Sequence, residues 1–395
     1  MMRHDVVIVG AARTPMGGFQ GALGTKTAAE LGAVAISAAL ERAGLETSGV
    51  DEVLMGCVLP AGQGQAPARQ AALGAGLPVS TPASTVNKMC GSGMKTVMMA
   101  HDAILAGQAD VMVAGGMESM SNAPYLLDRA RGGYRMGHGR VIDHMFLDGL
   151  EDAYDRGRLM GTFAEDCAED YQFTREAQDA YALQSLSRAK AAISEGRFAG
   201  EIAAVPVAGK GGATTVSIDE QPGNARPDKI PQLKPAFRAD GTVTAANSSS
   251  ISDGAAALVL MTADEAERRG LSPLARIIGH ASYANEPRLF PTAPIGAMTK
   301  LFERTGWSAG TVDLFEINEA FAVVAMAAMR DLDLPADKVN VNGGACALGH
   351  PIGASGARIL VTLLAALKAR GGRRGVASVC IGGGEATALA LETMD

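Results

Sequence analysis

Two stretches of the chain repeat one order of residues, in which a glycine-rich segment opens a helix and the following strand ends in glycines. The first runs from Cys90-Gly-Ser-Gly-Met-Lys to Val113-Ala-Gly-Gly-Met-Glu, and the second from Gly353-Ala-Ser-Gly-Ala-Arg to Cys380-Ile-Gly-Gly-Gly-Glu. Self-similarity of this kind indicates a duplicated α/β unit. When the two units are overlaid, Cys90 falls on Gly353, so equivalent helix starts carry different chemical groups.

Strands and helices alternate around these stretches. The predicted strand Val6–Val9 precedes a predicted helix, Ala28–Ala43, which ends before Gly44. The C-terminal third has predicted strands at Ala275–Ile278, Asp313–Ile317, Val339–Val341 and, last in the chain, Val376–Cys380. This alternation predicts an α/β fold with a mostly parallel sheet and helices on its faces.

The alternation breaks down between about Ser119 and Asn247. Turn-rich sequence around Arg131–Arg140 is followed by a predicted helix, Thr174–Glu195, and then by the proline-punctuated segment Gln221–Pro235. Because long irregular connections in compact domains usually have a function, we expect an inserted lobe that serves in binding.

Composition narrows the possible functions. The 395 residues suffice for two or three domains, and the net charge of −7 without a basic run argues against binding to nucleic acid or to an anionic membrane. Five cysteines without a CxxC pair argue against a disulfide scaffold or a structural zinc site. No signal peptide or membrane-spanning run is predicted, so we expect a cytoplasmic protein.

Cys90 is the first candidate for chemistry. It lies where a glycine turn opens a predicted helix, so amide N–H groups and the helix dipole are expected to favour its thiolate and to lower its pKa. That position suits a nucleophile. The alternative interpretation is a small residue that fits a tight turn.

His350 is the second candidate, on a turn fixed by Gly349 and Pro351 ahead of another predicted helix. Its imidazole could act as a general base or donate a hydrogen bond to an oxyanion. The alternative is a turn histidine bonded to backbone. Surface or packing roles are predicted for the other histidines, His4, His101, His138, His144 and His280.

Cys380 and Asn318 both follow predicted strands. Cys380 could act as an acid or base while the amides of the following glycines bind an anion, or it could be a small residue that packs at a strand end. Asn318 could orient a water molecule, or it could cap a helix in which Glu319 is a first-turn acid. Together with Cys90 and His350 these side chains lie at one predicted sheet edge, where they could carry acyl transfer through a thioester.

At these residues the chain resembles the thiolase family over nearly its whole length. The matching blocks, in the family's order, are Ala11-Ala-Arg-Thr-Pro, Asn87-Lys-Met-Cys-Gly-Ser-Gly, Gly115-Gly-Met-Glu-Ser-Met-Ser, Asn318-Glu-Ala-Phe, Asn340-Val-Asn-Gly-Gly-Ala with Gly349-His-Pro-Ile-Gly, and Cys380-Ile-Gly-Gly-Gly. The resemblance implies a duplicated, five-layered α/β/α/β/α fold with an inserted loop domain, assembled as a homotetramer of two tight dimers. The implied units are an N-terminal half (1–118 and 248–268), the insertion (119–247) and a C-terminal half (269–395).

The resemblance also assigns roles at the matching positions. Cys90 would be the nucleophile that is acetylated, and His350 would activate it. Cys380 would move the proton on the reacting carbon. His350, with a water held by Asn318, would stabilise the enolate-like oxygen, and the N–H groups of Cys90 and Gly382 would hold the tetrahedral oxyanion.

Within the family the chain is similar to acetoacetyl-CoA thiolases, with a broader-chain 3-ketoacyl-CoA thiolase as the alternative. Coenzyme A and acetyl-CoA would be substrates, with no metal and no permanently bound cofactor. Residues implied in substrate binding are Met160, Ser249 and Phe290, with Arg226 and Lys229 as candidates for the nucleotide end of CoA. Leu159 stands where many relatives have histidine beside the CoA.

Other functional classes fit the residues less well. A cysteine hydrolase with a Cys-His-Asn set leaves Cys380 and the following glycines unexplained. A non-catalytic acyl-CoA or sterol carrier on the same fold should lack catalytic residues. A decarboxylating condensing enzyme would carry two histidines, or histidine and asparagine, where this chain has Asn318 and Cys380.

Overall fold

The computed structural model describes residues 5–209 and 212–394, and the predicted surface residue His4 lies outside them. The strands are β1 (Val6–Arg13), β2 (Gly17–Gly18), β3 (Glu52–Gly56), β4 (Ala83–Val86), β5 (Val111–Ser119), β6 (Tyr125–Leu126), β7 (Ile142–Asp143), β8 (Val205–Gly209), β9 (Gly212–Val216), β10 (Ser252–Thr262), β11 (Ala275–Ala284), β12 (Leu314–Ile317), β13 (Arg374–Ile381) and β14 (Glu385–Thr393).

The helices are α1 (Ala28–Ala43), α2 (Pro67–Gly74), α3 (Ser92–Leu105), α4 (Met160–Asp170), α5 (Arg175–Ser194), α6 (Glu220–Asn224), α7 (Ala263–Arg269), α8 (Ala293–Thr305), α9 (Ala322–Asp331), α10 (Ala345–Leu348) and α11 (Ser355–Arg370). Helix α1 has the predicted bounds, with a capping box between Thr27 and Glu30 and a left-handed Gly44 at its end. Among the described residues, no helix combines the length and apolar character needed to cross a membrane.

Strand order shows two similar half-sheets joined edge to edge. The order is β4-β3-β5-β10-β1 in the N-terminal half and β11-β14-β13-β12 in the C-terminal half, and a short antiparallel pairing of β1 with β11 connects them. Among the strands of the described residues, only β3 with β4, β3 with β5 and β12 with β13 pair in parallel. The prediction of a mostly parallel sheet is therefore wrong, because β10 and β14 each run antiparallel through the middle of a half-sheet.

Three apolar cores separate the layers. Alternate residues of a strand face opposite sides, so Ile8 lies in a central core with residues of α3 and α11, whereas Val7 lies in an outer core with α1 and α2. The other outer core joins α8 and α9 to the strands of the C-terminal half. The predicted five-layered α/β/α/β/α architecture is confirmed, with α3 and α11 in the middle layer.

Two predictions for the C-terminal half are wrong. Strand β14 follows Cys380, so the strand that carries this cysteine is not the last one. Residues Val339–Val341 form only an isolated bridge with Phe315. Asn340 adopts a left-handed conformation (φ 48°), and its side-chain amide pairs with both the N–H and the C=O of Ile317, at 2.8 Å each, in place of a further strand residue.

The segment 119–247, predicted as an insertion, packs against both halves. Val205 of β8 lies in the outer core of the N-terminal half, and Phe163 of α4 lies in that of the C-terminal half. The buried guanidinium of Arg13 in β1 binds Asp219 at 2.7 Å, which fixes the part of the insertion just before α6 to the first strand. The domain boundaries themselves stay a prediction.

The N-terminal ends of α3 and α11 touch at glycines. A Cβ atom at Gly93 would lie 2.8 Å from the backbone N of Ala357, and one at Gly356 would lie 2.5 Å from that of Met94. Each copy of the repeated unit thus contributes one glycine to the contact between α3 and α11. The contact also brings together the segments that precede the two helices, which contain Cys90 and His350.

We predict that Gly356→Ala destabilises the protein although alanine favours helix formation. The added Cβ would lie 2.5 Å from a backbone atom of the other helix, and overpacking of this kind costs about 1–3 kcal/mol of unfolding free energy. Chemical denaturation measures the change. Gly200→Ala is the control, because open space surrounds its Cβ position; an equal, small effect of both changes would contradict the prediction.

Candidate active site

A strained turn presents Cys90 just before α3. Met89 has φ of +46°, a conformation that costs a non-glycine residue about 1–2 kcal/mol. The Ser92 hydroxyl compensates by donating to the Met89 carbonyl at 2.6 Å and accepting from the Lys88 amide at 2.8 Å. The prediction that this segment opens a helix is confirmed, and strain held beside a reactive side chain is typical of active sites.

The pKa expected for Cys90 is wrong in direction. Desolvation raises the pKa of the thiol to about 11, although the backbone N–H groups of Gly382 and of Cys90 itself act to lower it. Two amides are therefore too few to offset the loss of water. The resting nucleophile is a neutral thiol, and it needs a base to remove its proton.

His350 can serve as that base. Its Nδ1 lies 2.6 Å from the hydroxyl of Ser355, and this hydroxyl donates to the Pro351 carbonyl at 3.0 Å. The hydroxyl thus accepts from Nδ1–H, which leaves Nε2 unprotonated, with a lone pair that only the long, 3.5 Å contact of Asn318 Nδ2 approaches. The ring is held by side chains, Ser355 and Asn318, and not by backbone as the alternative interpretation had it.

The charge state of His350 follows from its surroundings. The side chain is buried, and desolvation, followed by the positive charge of Arg358, lowers its pKa to about 3. The imidazole is neutral at physiological pH, as a base must be before it accepts a proton.

Asn318 faces the same imidazole. Its Nδ2 lies 3.5 Å from His350 Nε2, and its buried Oδ1 has no hydrogen-bond partner in the described part of the chain. The alternative of a helix cap is wrong, because α9 begins only at Ala322, after Phe321 as its cap. A buried carbonyl oxygen without a partner is the group expected to hold a water molecule.

The alternative role of Glu319 as a first-turn helix acid is wrong for the same reason, because α9 begins only at Ala322. Its fully buried carboxylate accepts from the Tyr181 hydroxyl (2.9 Å), the Ser185 hydroxyl (2.8 Å), the Asn340 amide (2.9 Å) and the Cys346 N–H (3.0 Å). Glu319 therefore fixes α5 of the insertion to the segment that leads to His350.

Cys380 and Gly382 lie at the turn from β13 to β14. Cys380 is 1% exposed, and burial followed by the nearby Cys90 raises the pKa of its thiol well above the ordinary value. Gly384 has φ of +85°, and a Cβ there would lie 2.4 Å from the Asn285 carbonyl, so the turn requires glycine. The structure thus brings both cysteines and the Gly382 amide together.

Sequence reasoning assigned no role to Glu118 or to Ser355. The buried Glu118 carboxylate accepts from the N–H groups of Val58 (2.9 Å), Leu59 (3.1 Å) and Gly353 (2.9 Å), and burial raises its pKa to about 7. Glu118 thereby ties the end of β5 to the turn after His350. In the sequence, these roles are indicated only by the position of Glu118 at a glycine-rich strand end and that of Ser355 at a glycine-rich helix start.

The predicted substrate contacts fall into two groups. Met160 begins α4, and its sulfur lies 3.5 Å from the Cβ position of Gly382, so it borders the site. Ser249 is half-buried, and its backbone N–H donates to the Ala320 carbonyl at 2.9 Å, close in sequence to Asn318. The two candidates for the nucleotide end, Arg226 and Lys229, have exposed side chains on the insertion.

Phe290 lies in an aromatic cluster and not on an open surface. Its ring packs edge to face on Phe163 and against Phe321, with centroid distances of 6.3 Å to both, and it is 3% exposed. The same outer core contains Cys380. The rings therefore fill space on the Cys380 side of the site.

Comparisons with known proteins agree with this architecture. Residues 6–264 match the family model of the thiolase N-terminal domain, and residues 271–393 match that of the C-terminal domain. The chain is 54% identical to acetyl-CoA acetyltransferase 2 of Arabidopsis thaliana (99% of this chain, 98% of the relative) and 51% identical to acetyl-CoA acetyltransferase of Cupriavidus necator (98% and 99%). It is similar to the crystal structure of a thiolase from Ascaris suum in complex with coenzyme A, with a TM-score of 0.93, 42% identity, and 99% of this chain and 100% of that chain covered.

Fold and site together define an enzyme that transfers acyl groups. The chain belongs to the thiolase family, as its matching blocks predicted.

We predict that His350 makes the protein sensitive to acid. Its pKa is about 3 in the folded protein against an ordinary 6.5, so the unfolded chain binds the proton first. The stabilising contribution is complete above pH 6.5 and is lost progressively as the pH falls toward 3. Melting temperatures of wild type and His350→Asn should therefore converge on acidification. The difference between wild type and His138→Asn, an exposed histidine, should not change in this way, and parallel behaviour of both variants would refute the assignment.

Proposed function

We propose that the protein is an acetyl-CoA C-acetyltransferase. It condenses two acetyl-CoA to acetoacetyl-CoA and CoA, and catalyses the reverse thiolysis, by a ping-pong reaction through acetyl-Cys90. The names of the two relatives and the coenzyme A of the Ascaris suum structure support this proposal. The observation that supports it most is the unprotonated Nε2 of His350, fixed by the 2.6 Å bond from Nδ1 to Ser355, in a site with the half-buried thiol of Cys90 and the buried thiol of Cys380.

In the first half-reaction, His350 Nε2 takes the proton of the Cys90 thiol as the sulfur attacks the acetyl carbonyl. The N–H groups of Cys90 and Gly382, which already act on this sulfur, stabilise the oxyanion that forms beside it. Collapse of the tetrahedral intermediate breaks the bond to CoA. CoA leaves as a thiolate, so this cleavage does not require Cys380. The CoA thiolate then takes the proton of Cys380, whose thiolate the adjacent imidazolium now favours.

In the second half-reaction, the Cys380 thiolate removes a proton from the acetyl carbon of the second acetyl-CoA. A buried thiol with a raised pKa gives a strongly basic thiolate, as removal of this proton requires. The imidazolium of His350 and a water on Asn318 Oδ1 donate to the enolate oxygen. The enolate carbon attacks acetyl-Cys90, and the expelled Cys90 thiolate recovers its proton from His350.

We predict that substitutions of the two cysteines separate the half-reactions. Cys90→Ser should abolish both acetyl transfer and thiolysis, whereas Cys380→Ser should keep acetyl transfer onto Cys90 and lose about 10²- to 10⁴-fold in condensation, the usual contribution of an acid–base group. Isotope exchange between acetyl-CoA and CoA measures the first half-reaction, and acetoacetyl-CoA formation measures the whole reaction. Cys167→Ala is the control for loss of a buried thiol. Equal loss of both activities in Cys380→Ser would refute its separate role.

We propose acetoacetyl-CoA as the preferred substrate over longer 3-oxoacyl-CoA. The packed rings of Phe290, Phe163 and Phe321 lie in the same core as Cys380, which supports a short acyl pocket.

Initial rates of thiolysis should therefore give a higher kcat/KM for acetoacetyl-CoA than for a long-chain 3-oxoacyl-CoA. The physical reason is that the packed aromatic rings exclude a long acyl chain. Phe290→Ala should therefore reduce the difference in kcat/KM between the two substrates. Activity on 2-methylacetoacetyl-CoA reports how closely the rings approach the reacting carbon. A comparable or higher kcat/KM on the long chain would favour the broader 3-ketoacyl-CoA thiolase.

We further propose a cytoplasmic homotetramer that uses CoA and acetyl-CoA only as substrates. The segment Arg131–Asp148 lies where the family has its tetramerisation loop, and the exposure of its apolar side chains Met136 (97%) and Val141 (62%) supports burial against another subunit. The exposed cations Arg226 and Lys229 support attraction of the CoA phosphates.

A further inference from the structure

A cluster of two histidines and one aspartate lies outside the active site. His101 and Asp102 belong to α3, and His280 belongs to β11. The Nδ1 of His101 and the Nε2 of His280 lie 3.0 Å and 2.9 Å from the same oxygen, Oδ1 of Asp102. The two rings are perpendicular, with their centroids 5.1 Å apart, and all three donor atoms lie within 4.8 Å of one another.

These three groups match a common metal-ligand set. Two imidazole nitrogens and one carboxylate bind zinc and similar divalent ions, and tetrahedral ligands at about 2.0–2.1 Å from zinc lie roughly 3.3 Å apart. The two imidazole nitrogens now lie 3.0 Å and 2.9 Å from the Asp102 oxygen, so small side-chain movements would reach the separation that zinc ligands have. The side chains of His101 and His280 are 12% and 14% exposed, whereas Asp102 is 59% exposed, so an ion could enter from solvent.

We propose that His101, Asp102 and His280 form a site for a divalent transition-metal ion of the zinc type, with solvent completing the coordination. The ion would connect α3 of the N-terminal half to β11 of the C-terminal half, and its role would be to stabilise their packing. His101 lies about 13 Å along the helix axis from Ser92, at 1.5 Å per residue, so the site is separate from Cys90 and independent of the proposed function.

Titration of the full-length protein with Co²⁺ and Zn²⁺ tests the proposal. We expect one equivalent of Co²⁺ to bind with a visible ligand-field band and without a thiolate-to-cobalt charge-transfer band, which excludes the cysteines as ligands. Zn²⁺ should displace it and should raise the melting temperature, because the ion binds only the folded site. Asp102→Asn and His280→Gln should each weaken binding by at least about 100-fold, the upper range for losing even a supporting residue of a metal site.

Controls keep the test decisive. His138→Gln removes an exposed histidine elsewhere and should bind the metal like wild type. Unchanged thiolysis would show that the variants are folded, and Asp102→Asn, on an exposed side chain, is the change least able to disturb the fold. Absence of saturable binding at micromolar metal, a charge-transfer band from thiolate, or equal binding by His138→Gln, Asp102→Asn and His280→Gln would each overturn the proposal.

Discussion

The contact between the N-terminal ends of α3 and α11 is the constraint on which the site depends. Gly93 and Gly356 let two backbones meet at distances that no side chain would permit. Because the helices are equivalent copies of one unit, their preceding segments meet as well, one with Cys90 and the other with His350. Duplication thus produces two similar helix starts, and the difference between their residues supplies the proposed nucleophile, Cys90, and its proposed base, His350.

Burial gives this site an uncharged resting state. Desolvation raises the pKa of the Cys90 and Cys380 thiols and lowers that of His350, so thiols and imidazole are neutral together. Charge therefore appears only during reaction, where fixed donors such as the Gly382 amide are already in place. Such preorganised groups act strongly because they need no rearrangement when the oxyanion forms.

Local sequence was sufficient to predict much of the fold. Helix α1 was predictable to the residue because Thr27 caps its start and Gly44 ends it. Strand β14 was missed, and its position beside β11 depends on pairing between distant segments. Likewise, no local pattern could show that the Asn340 side chain would take the place of strand pairing.

Electrostatics and long-range contacts account for the other differences. The sequence position of Cys90 indicated helix amides that stabilise a thiolate, but the opposing desolvation depends on how deeply the fold buries the turn. The partners of Glu118 and of Ser355 come from loops that only the folded chain brings together. The His280 side chain likewise meets α3 only through the contact between the halves.

The proposed mechanism requires the amides of Cys90 and Gly382 and the imidazole of His350 to converge on one acyl group. A crystal structure of the protein soaked with acetyl-CoA would show whether they do. We expect an acetyl group on Cys90 Sγ, with its carbonyl oxygen within hydrogen-bond distance of the Gly382 N–H and with His350 Nε2 facing the sulfur. An acetyl group on another residue, or a carbonyl oxygen directed away from Gly382, would contradict the proposed mechanism.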